Sequence, residues 1–478
     1  MAEARSTAPE FPPASPQDWR ALVEKTLGGK PFDSLNTATA EGLAIAPLYP
    51  PAMSPAAGLF RPFDAERAWD VRTVARHPDA VRARADLLAD LEGGAASVLL
   101  KLDPQGADGV AVGSAEGLAQ LLDGVVLEAA PVALDAGFLG VAAADWLSAA
   151  AKASPGALLA FHLDPLSTFA QAGESPGPIE AHLFAAAGAA ARHAQTYPRA
   201  QLFLASGRVV HEAGGGEALE IAFAAAAALA YAKAMVRAGM GMEEAFSRIT
   251  LGLSADADYF LTIAKLRAAR RVWARLTEAC GAAGPARIEA RASRRMLTRR
   301  DPWTNMLRLT AAGFGAAVGG ADAVALGCFT DALGLPSPLA RRQSRNTQLV
   351  LMEEAHIGRV ADPAAGAGYV EAMTEQFARA AWSAFQMIEG LGGVISALTA
   401  GHVAAEVETA RQTRAAAGDP AIVGVTRFPP ATDEAVEVEH ATAQAVAAPS
   451  PRLPGPDGRC PPLAPIRLAE PFETEAAR

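Results

Sequence analysis

The residues of this chain that could carry metal or thiol chemistry are few and widely spaced. The three cysteines, Cys280, Cys328 and Cys460, could ligate a metal or form disulfides, but no two of them make a CxxC pair. A zinc site or a disulfide framework needs more cysteines at closer spacing. The sequence therefore predicts three reduced thiols without a chemical role.

Glycine-rich motifs and catalytic signatures also give little indication of a function. Residues 366–368 read Gly-Ala-Gly and lack the third spaced glycine of a dinucleotide site, and residues 28–30 lack the upstream glycine and the Ser or Thr of a P-loop. The chain contains no HExxH, GxSxG or protein-kinase pattern. We interpret these glycines as turn residues.

Charge and hydropathy narrow the class of protein. Lys and Arg number 42 against 52 Asp and Glu, so the formal charge is -10, which disfavours binding to nucleic acid or to an anionic membrane. The first 18 residues have no apolar core of a secretory signal. The apolar run 221–240 contains Tyr231, Lys233 and Arg237, so we expect a buried helix and not a membrane span. The expectation is an acidic cytoplasmic protein.

The elements that would position any site follow an alternating pattern. Short apolar runs typical of buried parallel strands are separated by segments with an apolar period near that of a helix. Eight such units in a row predict an α/β fold, a closed (β/α)8 TIM barrel. The predicted strands are residues 97–102, 124–128, 158–164, 201–206, 248–254, 287–293, 321–329 and 359–362, and the predicted helices include 141–153, 179–194, 218–238, 257–280 and 340–355.

Segments with other compositions flank the barrel. Residues 1–67 are rich in proline and predict an extended N-terminal arm that lies on the barrel or on a partner; the barrel itself is assigned to residues 68–400. The last barrel helix is expected to end near residues 390–393. Residues 401–478 are expected to form a helical extension and then a Pro-rich tail, 449–465, that acts as an extended linker.

One stretch of sequence resembles a known family. Residues 341–349 read RRQSRNTQL, residues 353–354 are Glu-Glu, and residues 359–366 read RVADPAAG, which together resemble the methylmalonyl-CoA mutase family. The resemblance runs from Trp19 to Phe472 and includes residues 39–42, 263–270, 301–305 and 422–425. It implies a barrel that carries an acyl-CoA along its axis and a separate C-terminal domain that binds adenosylcobalamin through a DxHxxG histidine.

The resemblance also identifies groups that this chain lacks. The family's WxxRQY tyrosine, which helps to trigger cobalt–carbon cleavage, is replaced by Val74. The arginine that pairs with the substrate carboxylate is replaced by Ala172, and the histidine of SGYHMQEAG, which contacts the thioester carbonyl, is replaced by Val209. His211, two positions further on, is the only nearby imidazole that could compensate. None of the eight histidines stands in a DxHxxG pattern, so no catalytic, cofactor-binding or metal-ligating residue is assigned to this chain.

Some polar positions of the family pattern are kept. Arg291 and Ser293 match a segment that contacts the acyl-CoA, so they are weak candidates for such a contact, although an ion-paired arginine cluster is the alternative. The signature residues Arg345, Asn346, Gln348 and Asp362 are expected to hold barrel strands and loops together by hydrogen bonds.

The resemblance implies a subunit of an isomerase complex. The chain is expected to be the small, non-catalytic subunit of a heterodimeric methylmalonyl-CoA mutase, and to stabilise a large subunit that carries the adenosylcobalamin. The alternative is an active barrel subunit of a related acyl-CoA mutase whose cobalamin domain is a separate chain. A mutase chaperone is a third possibility, but it would be expected to have a nucleotide-binding loop. A barrel that binds no substrate should have its axis filled by side chains.

Overall fold

The computed structural model describes residues 15–52, 58–62, 64 and 67–475, so Pro55 and both ends of the chain lie outside it. Its centre is a closed barrel of eight parallel strands in which each strand pairs with its neighbour in the chain and the eighth pairs with the first. This confirms the predicted (β/α)8 barrel. The strands are β1 Asp70–Ala75, β2 Ser97–Lys101, β3 Val132–Asp135, β4 Leu159–Leu163, β5 Gln201–Ser206, β6 Ile249–Ala255, β7 Arg287–Ala292 and β8 Ala323–Ala325.

A ring of helices surrounds the strands and covers their apolar outer faces. The last ring helix lies against both the first helix and the first strand, which closes the ring, and it continues into a π-helical turn, Val350–Glu354. The ring helices are α1 Ala80–Glu92, α2 Ala115–Leu121, α3 Gly140–Ala150, α4 Ile179–Thr196, α5 Glu217–Arg237, α6 Tyr259–Ala279, α7 Asn305–Val318 and α8 Pro338–Leu349.

Two predicted strands are wrong. Residues 124–128 form turns, with Val126 64% exposed, and the strand is the next apolar run, β3. Residues 359–362 follow a 3-10 turn, Ile357–Arg359, and Asp362 has a φ of 47°, a left-handed conformation that cannot continue a strand.

Strand β1 was missed because it does not look apolar. It reads Asp-Val-Arg-Thr-Val-Ala, and its charged residues Asp70 and Arg72 are buried and ion-paired. The family pattern places its WxxRQY segment before the first strand, whereas Val74 lies inside β1. Because β1 was not predicted, Ala172 follows the fourth strand and Val209 the fifth, where the sequence predicted the third and the fourth, and Arg291 lies in β7.

Helix α5 is the one helix of the described chain that is long and apolar enough to cross a membrane by length and composition alone. In the fold, 83% of its most apolar window is buried between the barrel and outer helices. It therefore lies where the sequence predicts, as a core helix of the barrel.

In the described chain four α-helices follow the ring: α9 Gly368–Gly390, α10 Val394–Thr399, α11 His402–Ala416 and α12 Glu470–Glu475. Helix α9 ends where the last barrel helix was expected to end, but it packs on the outside of α5 and α6 and is not a member of the ring. The predicted domain limits at residues 68 and 400 stay a prediction.

The described part of the arm contacts the barrel in more than one region, and its Arg61 guanidinium donates to the Ala317 carbonyl at 2.9 Å. Its helix, Pro16–Leu27, buries none of its residues in this chain, whereas the short strands Thr37–Ala38 and Ala44–Ile45 lead into a contact with α5. There the Glu41 carboxylate accepts hydrogen bonds from the backbone N–H groups of Ala218 and Leu219 at 3.0 and 2.9 Å. Glu41 thus caps the first turn of a barrel helix from outside that helix.

The Pro-rich tail is extended, but it does not leave the barrel. Residues 436–470, which we call the collar, run around the carboxyl ends of the strands. The segment Val438–Glu439 pairs with Leu335–Pro336 after β8, and Gly458–Arg459 pairs with Glu174–Ser175 after β4. Further on, the backbone N–H of Ile466 donates to the backbone carbonyl of Glu212, which follows β5. The composition did not indicate the surface on which this segment lies, and the role of the tail as a linker stays a prediction.

Candidate functional site

The candidate site is a cavity of about 920 Å³ at the mouth formed by the carboxyl ends of the strands. In (β/α)8 barrels this end is where catalytic residues gather. Strand residues form its floor, the loops after the strands form its sides, and collar residues Leu463 to Arg467 form part of its cover.

The three positions that differ from the family pattern meet in the wall of this one cavity. Val74 reaches it from β1, Ala172 from the end of the short helix Pro165–Ala172, and Val209 from the short helix Arg208–Glu212. All three side chains are aliphatic, so none of them can donate or accept a hydrogen bond. The part of the wall that they form can pack against a ligand but cannot move a proton.

His211 does not replace the missing imidazole. It is fully buried behind the cavity, and its Nε2 lies 2.9 Å from the Ser293 hydroxyl and 3.2 Å from Asp256, while its Nδ1 lies 3.4 Å from Glu220. Burial raises the pKa of Glu220, but the adjoining Lys265 ammonium and the His211 ring lower it to about 2. His211 is not part of the cavity wall. It belongs to a buried network that joins α5, α6 and the loop after β7.

The two acyl-CoA candidates separate in the structure. Arg291 lines the cavity, and its Nε and Nη1 atoms donate to Glu289 and Asp135, each at 2.6 Å. Ser293 is fully buried beside His211 and does not reach the cavity wall. Contact of either residue with an acyl-CoA stays a prediction.

A chain of ion pairs crosses the barrel interior beneath the cavity. Glu289 of β7 accepts hydrogen bonds from Arg72 of β1 and from Arg291. From the opposite wall, the His162 ring of β4 lies 3.9 Å from the Glu289 carboxylate. Burial raises the pKa of Glu289, but the two guanidinium groups lower it more, so the carboxylate stays ionised. Side chains from three strands therefore fill the barrel axis at this level.

His162 reaches this position through an irregularity of β4. Its φ is 45°, and the pairing of β4 with β5 shifts register between Ala160 and Leu163. Such a bulge redirects a side chain that regular pleating would place elsewhere. Burial lowers the pKa of His162 to about 4, so the ring is neutral near pH 7.

One carboxyl group of the cavity wall has a raised pKa. Burial raises the pKa of Asp164 to about 7, although Ser167 and Tyr231 donate hydrogen bonds to it. The Tyr231 hydroxyl donates to Asp164 at 2.5 Å and accepts a hydrogen bond from the Leu166 N–H at 3.1 Å. Asp164 caps the helix Pro165–Ala172 and so has a structural partner at each oxygen.

The four signature residues occupy the loops and helices around β1 and β8. Arg345 bonds Asp90 at 2.8 Å, and Gln348 accepts a hydrogen bond from the Trp69 indole at 3.2 Å. Asp362 pairs with the buried Arg267. Asn346 is half-buried on α8. Arg345 and Gln348 also line the cavity, so their predicted structural role stays a prediction.

The sequence did not indicate the axial ion pairs or Arg208, which also lines the cavity. A signal for the ion pairs was present: Asp70 and Arg72, and likewise Glu289 and Arg291, are charged residues two positions apart, which face the same side of a strand. Charges in that pattern within a closed barrel must pair in its interior.

The histidine of the cavity wall does not fit the role of cobalt ligand. The only histidine in the cavity wall is His162, which is buried against Glu289, and no group of three His, Cys, Asp or Glu side chains in the described ranges could hold a metal ion. No chemical step can therefore be derived through a cobalamin bound to these side chains.

Fold and site together define a (β/α)8 barrel of an enzyme scaffold whose mouth lacks polar groups at three central positions. The family model described as methylmalonyl-CoA mutase matches residues 65–450, and the chain belongs to that family, which is one of isomerases.

Relatives agree with this assignment. The chain is 40% identical over 468 residues to the methylmalonyl-CoA mutase small subunit of Streptomyces virginiae, covering 92% of this chain and 74% of that one. It is 36% identical to the small subunit from Propionibacterium freudenreichii subsp. shermanii, over 89% of this chain and 70% of that one. Identity to the methylmalonyl-CoA mutase of Escherichia coli (strain K12) is 28%, over 86% of this chain and 64% of that one.

Proposed function

We propose that this chain is the small, non-catalytic subunit of a heterodimeric, adenosylcobalamin-dependent methylmalonyl-CoA mutase. The complex converts methylmalonyl-CoA to succinyl-CoA, and the large subunit carries the cofactor and performs the chemistry. The observation that carries the proposal is that Val74, Ala172 and Val209 line one cavity, where the family pattern has a phenol, a guanidinium and an imidazole.

The physical argument concerns what the protein must supply. In a radical rearrangement the cofactor provides the radical, and the protein provides oriented polar contacts around the reacting carbons. Three aliphatic side chains provide none of these contacts. The ion pairs of Arg72, Glu289 and Arg291 also occupy the axis along which a family substrate would thread.

The alternative, an active barrel subunit with a separate cobalamin-binding chain, is supported by the size of the cavity alone. A volume of about 920 Å³ is large enough for a small ligand. The alternative still needs polar groups at positions 74, 172 and 209, and it is the weaker proposal for that reason.

The arm supports a role in subunit assembly. Helix Pro16–Leu27 has no buried residue in this chain, and its Leu22 is 64% exposed. An amphipathic helix without a packing surface gains stability when it docks on a partner. We infer that the arm and the outer barrel bury apolar surface on the large subunit.

The proposed role predicts a change in the stability of the partner. Association that favours the folded state raises the unfolding temperature by mass action. The test is thermal unfolding of the purified large subunit with and without an equimolar amount of this chain, with serum albumin as the control protein. A rise caused by this chain alone supports the proposal, and an unchanged unfolding temperature contradicts it.

A further inference from the structure

The last part of the collar and the start of α12 lie across the cavity. Residues 464–473, which we call the lid, follow the buried Leu463. The lid runs over the rim of the barrel from the loop after β4 to the loop after β7. Five of its side chains form part of the cavity wall: Ala464, Pro465, Ile466, Arg467 and Glu470. The lid therefore closes one side of the cavity.

The lid has little apolar contact with the barrel beneath it. Ala469 is the one buried residue of the lid, all of which the structure describes, and a methyl group buries little apolar area. The backbone N–H groups of Ile466 and Leu468 donate to the carbonyls of Glu212 and Arg295 at 2.8 and 2.9 Å. Segments with few buried apolar contacts open locally at a lower free energy than the core does.

One carboxylate fastens the far end of the lid. Glu473 accepts hydrogen bonds from the backbone N–H groups of Arg299 and Arg300, in the loop after β7, at 2.5 and 3.2 Å. It also accepts from the Arg467 guanidinium of the lid at 2.7 Å. Its side chain is only 10% exposed. We call this contact the latch, and its strength depends on the negative charge of Glu473 because charge-assisted hydrogen bonds are the strong ones.

The rest of the collar is held by contacts of its own. Residues 458–459 pair with residues 174–175, and the Cys460 N–H donates to the Gly173 carbonyl at 2.8 Å. Leu463 is 2% exposed, and its N–H donates to the Ala170 carbonyl at 2.7 Å. The lid can therefore swing outward after Leu463 while the preceding collar stays in place.

We propose that residues 464–473 form a lid that opens the cavity when the Glu473 latch is released. Opening moves the five lid side chains out of the cavity wall and admits small molecules from the solvent to a space that has the size of a small-molecule site. This inference does not rest on the subunit role proposed above, since the lid, the latch and the cavity all lie within this chain.

The test follows the reactivity of Cys328, which lines the cavity and is 7% exposed. The full-length chain carries Cys280→Ser and Cys460→Ser, so that Cys328 is its single thiol. Modification by methyl methanethiosulfonate at pH 8 is followed by mass spectrometry. Glu473→Gln keeps the shape of the side chain but removes its charge. Cys328 should then react about tenfold faster, the effect of losing one charge-assisted hydrogen bond.

A matched control and a second measurement separate lid opening from unfolding. Glu437→Gln makes the same chemical change at an exposed residue of the collar outside the cavity wall, so Cys328 should react at its original rate. Hydrogen exchange reports on the lid itself. In Glu473→Gln the N–H groups of Ile466 and Leu468 should exchange about tenfold faster, whereas those of β5 should be unchanged.

Three results would overturn the lid. Equal Cys328 rates with and without Glu473→Gln would show that the thiol is reached by another route. Equal acceleration by Glu437→Gln would show that the latch is not the cause. Exchange in β5 that rises by the same factor as in the lid would show that Glu473→Gln loosens the whole barrel and that the lid does not open separately.

Discussion

At the scale of single residues, the barrel interior depends on one shared carboxylate. Glu289 is the common partner of Arg72 and Arg291, and its side chain is 1% exposed. We expect Glu289→Gln to lower the free energy of unfolding by about 3–5 kcal/mol, because it leaves two buried cations without their shared anion. Urea unfolding measures this change.

An exposed ion pair provides the matched control for that substitution. Glu278 pairs with Arg275 at 3.0 Å, with the two side chains 72% and 63% exposed. Glu278→Gln should change stability by less than about 1 kcal/mol. Similar losses of stability in the two variants would mean that the axial ion pairs stabilise the fold no more than an exposed ion pair does.

His162 makes the stability of the chain depend on pH. Its pKa is lowered to about 4 by burial. Between about pH 4 and 6.5 the unfolded chain therefore binds a proton at this ring, and the folded chain does not. Its contribution is complete above about pH 6.5 and is lost as the pH falls towards 4, by about 3 kcal/mol in total. Asp164 and Glu41, with raised pKa values, act in the opposite direction between about pH 4 and 7.

A variant separates His162 from these carboxyl groups. His162→Asn removes the titration and tolerates the left-handed backbone at this position. Urea unfolding at pH 7.5 and pH 5 should show a smaller acid loss in His162→Asn than in the unaltered chain. Equal acid losses would show that His162 is protonated in the folded state.

At the scale of elements, the arm is tied to the barrel by Glu41. Gly216 allows this contact, since a side chain there would collide with the Glu41 side chain. Glu41→Ala should remove the cap of α5 at a cost of about 1–2 kcal/mol, which means roughly five- to thirty-fold faster local opening. Hydrogen exchange at Ala218 and Leu219 measures it.

The control for the cap lies in the same arm. Glu24 forms an exposed pair with Arg20, so Glu24→Ala should leave the exchange of α5 unchanged. If Glu41→Ala also leaves it unchanged, the arm is not held by this carboxylate.

The collar can be distinguished from a free linker by two substitutions. Leu463 is 2% exposed in the cover of the cavity, whereas Val446 in the same segment is 37% exposed. Leu463→Ala should cost about 2–5 kcal/mol in urea unfolding, and Val446→Ala less than about 1 kcal/mol. A neutral Leu463→Ala would show that the tail is not packed on the barrel.

The strands show how far the sequence could predict the fold. Strand β5 and helix α4 were found because their apolar residues follow the period of their element. The charged residues of α4, Glu180 and Arg192, are exposed and leave its buried face apolar. Strand β1 was not found, because the Glu289 carboxylate that pairs with Arg72 inside the barrel comes from a distant position in the chain. Residues 124–128 and β3 are adjacent apolar runs, and only barrel closure decides which of them pairs.

The candidate site was predictable only in part, for the same reason. Val74, Ala172 and Val209 could be selected from the sequence because the resemblance supplies a pattern to compare them with. Arg208 could not be selected, because its place in the cavity wall and its ion pair with Glu212 depend on how the loop after β5 folds. The collar was missed because proline composition predicts an extended chain without predicting its neighbours.

At the scale of the whole molecule, this chain keeps the barrel of its family, with aliphatic side chains at positions 74, 172 and 209 of the cavity wall. The collar, the ion pairs and the capped helix α5 all stabilise the fold, and none of them requires a reaction to occur in this chain. A subunit of this kind can contribute to an enzyme complex through association alone.

The most direct test is a mutase assay with methylmalonyl-CoA and adenosylcobalamin on this chain, on the large subunit, and on their mixture after size exclusion. The account predicts that this chain alone is inactive, that it co-elutes with the large subunit, and that all activity requires the large subunit. Turnover by this chain with only a separate cobalamin-binding protein added would contradict the account.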